Sequence, residues 1–264
     1  MAMQGCPSPG RPSDQYVQSF ARGLQVIRSF SAAQPSQTIS EVAARCDLTR
    51  AGARRILLTL QHLGYVSSDG KQFQLTPKIL DLGFAYLSSM PLWSLAEPEI
   101  QATANETRES CSAAVLDGAD IVYVMRVSAY QIISTNIAIG TRLPASNTST
   151  GRVLLAGLPD EALRQLLHAH PSRAWTSQTI TAPDMLFEKI IEARQQGWSV
   201  VNRELDDALI SIAAPIRGRD GRSIAAINIS SRSSWHTPET IQASYLARLQ
   251  QATQSISRLL GLQA

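Results

Sequence analysis

The sequence predicts an α+β protein of two domains, and three observations predict it. The first 80 residues read as short amphipathic helices followed by a β-hairpin. From residue 110 onward, strand-like segments alternate with helical ones. Between them runs an apolar helical stretch bounded by Pro77 and Pro91. A length of 264 residues suits two ordinary domains. The expected divisions are a leader over 1–14, a first domain over 15–76, a connector helix over 77–91 and a second domain over 92–264.

In the first domain, Val17, Phe20, Leu24 and Ile27 recur at spacings of three and four and predict a helix over 16–30. Gln34, Pro35 and Ser36 interrupt it. Thr38 then caps a helix over 39–46, with Glu41 three residues on completing a capping box. A turn at Asp47, Leu48 and Thr49 leads to a third helix ending near Leu63, with Ile56, Leu57, Leu60 and Leu63 facing inward. Gly64 closes it, because glycine takes the left-handed C′ conformation without a Cβ penalty. Strands over 65–67 and 72–75 flank a turn centred on Asp69-Gly70, a strong hairpin signal. Three helices and a β-wing in this order make a winged helix-turn-helix. The connector helix carries Ile79, Leu80, Leu82, Phe84 and Leu87, too apolar to lie free, and is expected to pack against a second copy.

The second domain opens with a helix over 92–108. Strands over 113–116 and 121–127 flank a hairpin turn at 117–120, and a β-rich stretch over 132–139 ends at Gly140. Helices follow over 150–156, 160–169 and 186–196, the last stopped by Gly197. Strands over 198–201, 211–216 and 224–230 precede a long terminal helix opened by Thr237-Pro238-Glu239. A mixed sheet with helices before, between and after it is similar to ligand-sensing domains of the GAF/PAS type.

Composition narrows the class. With 44% hydrophobic and 17% charged residues, the chain is that of a globular protein. No apolar run approaches the roughly 18 residues of a membrane span. The leader is rich in Pro, Gly and Ser and lacks the apolar centre of a signal peptide, which predicts a cytoplasmic protein. Cys6, Cys46 and Cys111 are odd in number and far apart, so they form no disulfide framework, and Cys46 and Cys111 read as buried fillers. Residues 1–80 hold nine Lys and Arg against four acids, +5, and the remainder fifteen against seventeen, −2. Only the first part is therefore expected to meet a polyanion.

An enzyme is the main rival class. It finds no support in His62, His168, His170 and His236, which accompany no GxSxG elbow and no metal-ligand cluster. No phosphate-binding or dinucleotide glycine motif is present, and no cofactor or metal is expected.

The third helix presents Arg50, Arg54 and Arg55 beside the small residues Ala51, Gly52 and Ala53. Arg50 and Arg54 lie four apart and share a face away from the apolar stripe. Arginine suits both guanine edges and phosphates, and small neighbours let a helix sit deep in a major groove. Thr49 and Thr38, at two helix starts, and Lys71 in the wing complete the expected DNA-binding set with Gly52. Arg22, Arg28 and Arg45 are more distant electrostatic candidates. Solvated surface arginines and a protein-binding adaptor are the alternatives, and an acidic or apolar third-helix face would have favoured the adaptor.

These segments resemble the IclR family of bacterial transcription regulators. The resemblance is carried by 40–45, Leu48-Thr49, Arg55-Ile56-Leu57 and 60–66 in the first domain. In the second it is carried by 140–144, 150–156, Gly197, Glu204, 212–216 and Gly221. Residues 48–51, 79–83 and 142–145 are similar to the branch that governs protocatechuate and 4-hydroxybenzoate breakdown through the β-ketoadipate pathway. The resemblance implies homodimers, or dimers of dimers, on palindromic double-stranded promoter DNA. It also implies a small carboxylate effector, an aromatic acid or one like β-ketoadipate, and RNA polymerase as a partner where the regulator activates. A repressor answering a non-aromatic acid is the alternative within the family.

The polar run 147–152 opens a helix. On residues alone Ser149 or Thr150 is simply its cap, whereas the resemblance implies that the effector binds at this helix start. It further implies that Ser211, Asn228 and Ser230 face the effector, with Val201 where other members carry an acid, a change suited to a flatter and more apolar ligand. Arg142 and Arg152 either meet the effector's carboxylate or pair with Glu204. Ala208 stands near a position where the family usually has glycine, which is expected to alter a loop at the pocket mouth.

Overall fold

The computed structural model describes residues 16–128 and 137–262. The chain divides into two compact units, Met1–Ser89 and Met90–Ala264.

The first unit runs α1 (Gln18–Arg28), β1 (Ser36–Thr38), α2 (Ile39–Arg45), α3 (Arg50–His62), β2 (Val66–Ser68) and β3 (Gln72–Leu75). The capping box forms: Thr38 Oγ1 accepts from the Glu41 amide at 3.4 Å, and the Glu41 carboxylate accepts from the Thr38 amide at 2.7 Å. Thr49 Oγ1 caps α3 by accepting from the Gly52 amide at 3.1 Å. Gly64 takes φ +81° after α3, the left-handed stop that its lack of Cβ permits. Val26, Val42, Leu57, Leu60, Val66 and Phe73 form the core. The wing has a third strand that its sequence does not announce. Ser-Gln-Thr of β1 pairs with β3 in the order β1-β3-β2, and Gln37 is fully buried, donating to the Ser29 carbonyl at 3.1 Å.

The connector splits into a 3₁₀ turn, Pro77–Ile79, and α4 (Leu80–Ser88), which buries none of its residues. Pro91 opens the next helix rather than closing this one, because its missing N–H costs nothing at a first helical position.

The second unit comprises α5 (Pro91–Thr107), β4 (Ser110–Asp117), β5 (Asp120–Val127), β6 (Arg142–Pro144), α6 (Ser149–Leu155), α7 (Asp160–Ala169), α8 (Pro183–Gln196), β7 (Ser199–Asn202), β8 (Leu209–Arg217), β9 (Ser223–Arg232) and α9 (Pro238–Leu262). The strands form one sheet in the order β6-β5-β4-β9-β8-β7, and every neighbouring pair is antiparallel. The expected mixed sheet is thus corrected. A parallel neighbour needs a crossover, and the helical excursion α6–α8 joins β6 and β7, which lie at opposite edges. Most of the β-rich stretch over 132–139 lies outside the described residues, and 137–139 are not strand.

Strand alternation divides the sheet's faces. Ala114, Ile121, Tyr123, Ala213 and Ala226 pack against Val153, Leu154, Leu163, Phe187 and Ile190 of α6–α8. The long α9 packs on β8 and against α5. Cys111 is fully buried, and desolvation pushes its thiol up to about 12, as suits an inert filler. Where α6 meets the 3₁₀ turn Ala145–Asn147, a Cβ on Gly151 would stand 2.1 Å from the Ala145 carbonyl oxygen, so only glycine fits this approach.

Candidate functional site

The residues expected to face DNA separate into two groups on α3. Arg50 and Arg54 are exposed, one turn apart, beside the small Ala51. Arg55, a quarter-turn away, instead lines an open groove of ≈ 860 Å³ between α1 and α3, together with Phe20, Leu24, Ile56 and Leu82. Thr38 and Thr49 commit their hydroxyls to helix caps, which leaves each with lone-pair capacity near a helix start. Lys71 sits exposed at the wing tip. The Asp69 carboxylate holds that turn by accepting from the Lys71 amide at 2.9 Å and the Gln72 amide at 2.7 Å. These two bonds, Gln72's first, pull the Asp69 pKa down.

In the second unit, α6, β5, β7, β8 and β9 bring Ser149, Val201, Ser211, Asn228 and Ser230 around one small cavity. Ser149 and Ser211 share a hydrogen bond of 2.8 Å between hydroxyls. Asn228 Nδ2 donates to Ser230 Oγ at 2.8 Å, while Asn228 Oδ1 is buried without a hydrogen-bond partner among the described residues. Tyr123, Leu143, Leu205 and Leu209 supply apolar walls. The cavity measures ≈ 20 Å³, about the room of a single water.

Three expected members lie elsewhere. Arg142 sits half-exposed at the sheet edge, paired with Asp117 at 2.7 Å and Asp120 at 3.2 Å. The Asp117 hydrogen bond, the larger cause, raises its pKa. Arg152 is buried and salt-bridged to Glu204 at 2.7 Å. Burial lowers its pKa and Glu204 opposes that. Asn147 Nδ2 donates to the same carboxylate at 2.9 Å, so this charge is already satisfied within the fold. Thr150 is fully buried and does not line the cavity. The cap of α6 is Thr148, whose Oγ1 accepts from the Gly151 amide at 3.0 Å, rather than Ser149 or Thr150. Left-handed backbone in the loop before β8 falls at Arg203, φ 62°, so Ala208 needs no glycine there.

The sequence reading missed Tyr123, Leu143, Leu205 and Leu209. Tyr123 was within reach of an alternation argument along β5, which groups it with Ile121. Leu143 comes from the short edge strand β6, Leu205 from a loop and Leu209 from the first position of β8, where too few residues precede it for a period to mark it.

Among the described residues no single helix is long and apolar enough to cross a membrane. The chain matches the family model of the IclR helix-turn-helix domain over residues 19–70 and that of the bacterial transcriptional regulator IclR C-terminal domain over 84–258. It is 40% identical to the Pca regulon regulatory protein of Pseudomonas putida over 91% of this chain and 83% of the relative. It is 30% identical to the p-hydroxybenzoate hydroxylase transcriptional activator of Acinetobacter baylyi over 94% and 93%. A crystal structure of a transcriptional regulator from Rhodococcus sp. RHA1 superposes with a TM-score of 0.84 at 46% identity, covering 93% of this chain and 98% of the other. An IclR homolog from Microbacterium hydrocarbonoxydans, solved in complex with 4-hydroxybenzoate, shares the fold with a TM-score of 0.81 at 23% identity over 92% and 98%. With its helix-turn-helix and its sensing sheet both matched, this chain belongs to the IclR family of transcriptional regulators, a family of regulators and not of enzymes.

Proposed function

We propose that the protein regulates an operon for aromatic-acid breakdown and answers to a small aromatic carboxylate. The observation that carries this is its 40% identity, over 91% of the chain, to a regulator named for the Pca regulon. The cavity supports it. Hydroxyls and an amide on one side and tyrosine and leucine walls on the other suit a hydroxylated ring. Val201 stands apolar and 6% exposed beside Ser211 and accommodates a ring, while the Glu204 carboxylate, which also lines the cavity, is paired with Arg152.

A ring cannot enter ≈ 20 Å³ without the walls parting, so binding selects a wider arrangement of the sensing domain. The effector's influence is limited to its preference for that arrangement. The DNA half of the reading places Arg50 and Arg54 in a major groove, with Lys71, Thr38 and Thr49 on phosphates. Two copies, pairing through the apolar faces of α1 and α4, would present two such helices to a palindromic promoter site. The exposed Phe20 (68%), Leu80 (70%) and Phe84 (68%) supply those faces. Dimers of such dimers and, where the regulator activates, RNA polymerase in the cytoplasm complete the proposed partners.

The test is thermal stabilisation of the purified protein by protocatechuate, 4-hydroxybenzoate, β-ketoadipate, phthalate, gallate and glyoxylate. A dose-dependent rise of melting temperature with an aromatic acid is expected through binding linkage. A rise with glyoxylate alone moves the protein to non-aromatic acids. No rise with any of them removes this reading of the cavity.

A further inference from the structure

Hydrogen-bond donors and acceptors are unevenly supplied around the small cavity. Ser149, Ser211, Ser230 and Tyr123 all border it and carry hydroxyls. Ser149 and Ser211 use one hydrogen between them, in their 2.8 Å bond, and keep the other. Ser230 Oγ accepts from Asn228 Nδ2 at 2.8 Å, which leaves its own hydrogen to give. Desolvation pushes Tyr123 up to about 12, so its phenol remains a donor at neutral pH. Donors are in surplus.

The amide and carboxylate oxygens of its side chains are taken, with one exception. Glu204 is held by Arg152 at 2.7 Å, by Asn147 Nδ2 at 2.9 Å and by the Ile180 amide at 3.4 Å. Asn147 Oδ1 accepts from the Ser146 and Ser172 hydroxyls. Asn228 Oδ1 is the exception. It is sealed from water and has no hydrogen-bond partner among the described residues, on a side chain whose residue is 3% exposed. Strand register explains why. Asn228 pairs with Ala213 on β8 and follows Ala226 on the same face, and a methyl has no hydrogen to donate. On its other side it pairs with Ser112 of β4, which does not reach Oδ1. An unpaired buried acceptor destabilises the closed cavity, and a donor entering beside it removes that penalty. A carboxylate has no hydrogen to give, whereas a ring hydroxyl has one.

We propose that Asn228 is a specificity-determining residue of the effector site, its Oδ1 accepting from a ring hydroxyl, an assignment that rests on the aromatic-acid reading above. The effector's carboxylate then turns to the spare serine and tyrosine hydrogens, away from Asn228 Oδ1 and the Glu204 carboxylate. The ligand class is thus a hydroxylated benzoate. Acids that bring acceptors alone, such as phthalate and β-ketoadipate, leave Oδ1 unpaired. The same contact ties recognition to shape. With the walls closed to ≈ 20 Å³ no ring hydroxyl reaches Oδ1, so the bond forms only in the wider arrangement. The hydroxyl therefore adds to the effector's preference for that arrangement, which is the quantity that shifts the population.

Calorimetric titration of full-length wild type and Asn228→Ala with two matched pairs of acids tests this. One pair is 4-hydroxybenzoate and 4-fluorobenzoate, and the other is protocatechuate and 3-fluoro-4-hydroxybenzoate. Fluorine takes the place of a hydroxyl without a hydrogen to donate. In at least one pair, wild type should bind the hydroxyl compound about tenfold or more tightly than its fluoro partner, the scale of a buried acceptor left unpaired. The pair that shows this ratio identifies the ring position that meets Asn228. Asn228→Ala should lower the ratio to about twofold or less by weakening the hydroxyl compound more than the fluoro one. A ratio that survives in the variant, or both members weakened alike, overturns the assignment while leaving the aromatic-acid reading in place. So does the lack of a ratio in wild type. No binding of any of the four acids to wild type overturns both. Should the alanine variant not fold, Asn228→Val, β-branched and suited to a strand, replaces it under the same criteria.

Discussion

Arg152 and Glu204 show how a charged residue near a site can belong to the scaffold. The pair is buried, 3% and 5% exposed, and tied to Asn147. Arg152→Met leaves a buried carboxylate without its cation and should cost about 3–5 kcal/mol in urea unfolding. Adding Glu204→Gln should recover much of that loss, and a double variant no better than the single would show that the pair is not the unit. Arg142→Ala, by contrast, breaks an ion pair 42% exposed on the arginine side and should cost at most about 1 kcal/mol. The tyrosines carry a second expectation. Desolvation pushes Tyr123 up to about 12, and desolvation aided by the Glu109 charge does the same for Tyr245. Above pH 10 the unfolded chain releases these protons and the folded chain keeps them, so stability should fall between pH 10 and 12. Tyr123→Phe and Tyr245→Phe should each flatten that decline in alkaline melts followed by circular dichroism, and an unchanged slope would detach them from it.

At the scale of elements, α3 serves two purposes because its faces differ. Its buried stripe, Ala53, Leu57 and Leu60, holds the domain together, and its outer face carries Arg50 and Arg54. Arg54→Ala should weaken binding to a promoter fragment about tenfold or more and leave acid-induced stabilisation intact. Where Arg54 meets a phosphate, the slope of log affinity against log salt should also fall by about one. Arg55→Ala should do less, since Arg55 lines the groove beside α1. Equal losses from both would mean that the groove face, too, meets DNA.

The largest scale is that of the two copies proposed above. Leu80, Phe84 and Phe20 leave more apolar surface exposed than a lone small domain normally carries. Leu80→Glu with Phe84→Glu should shift the protein toward monomer in sedimentation and abolish tight operator binding while acid binding persists. A variant that remains dimeric would move the interface off α4. The sensing unit carries its own core around α6–α8, which is why a defect on α4 should leave it folded.

Local patterns were enough for the helices and the hairpin of the first unit and for the type of most elements in the second. Thr38 with Glu41, Thr49, Gly64 and Asp69-Gly70 act within a few residues, so capping and turn chemistry placed them from the sequence alone. The polar members of the cavity, Ser149, Ser211, Asn228 and Ser230, were reached through resemblance to a family, because no periodicity links residues 81 positions apart. Folding settled the rest. β1 joined the wing because β3 offered it a free edge. The sheet became antiparallel throughout because its helical excursion links opposite edges. The arginines found their partners by packing: Arg152 with Glu204, and Arg142 with two aspartates. Which charge meets which depends on strand register, and register is decided by the whole buried face rather than by neighbours in the chain.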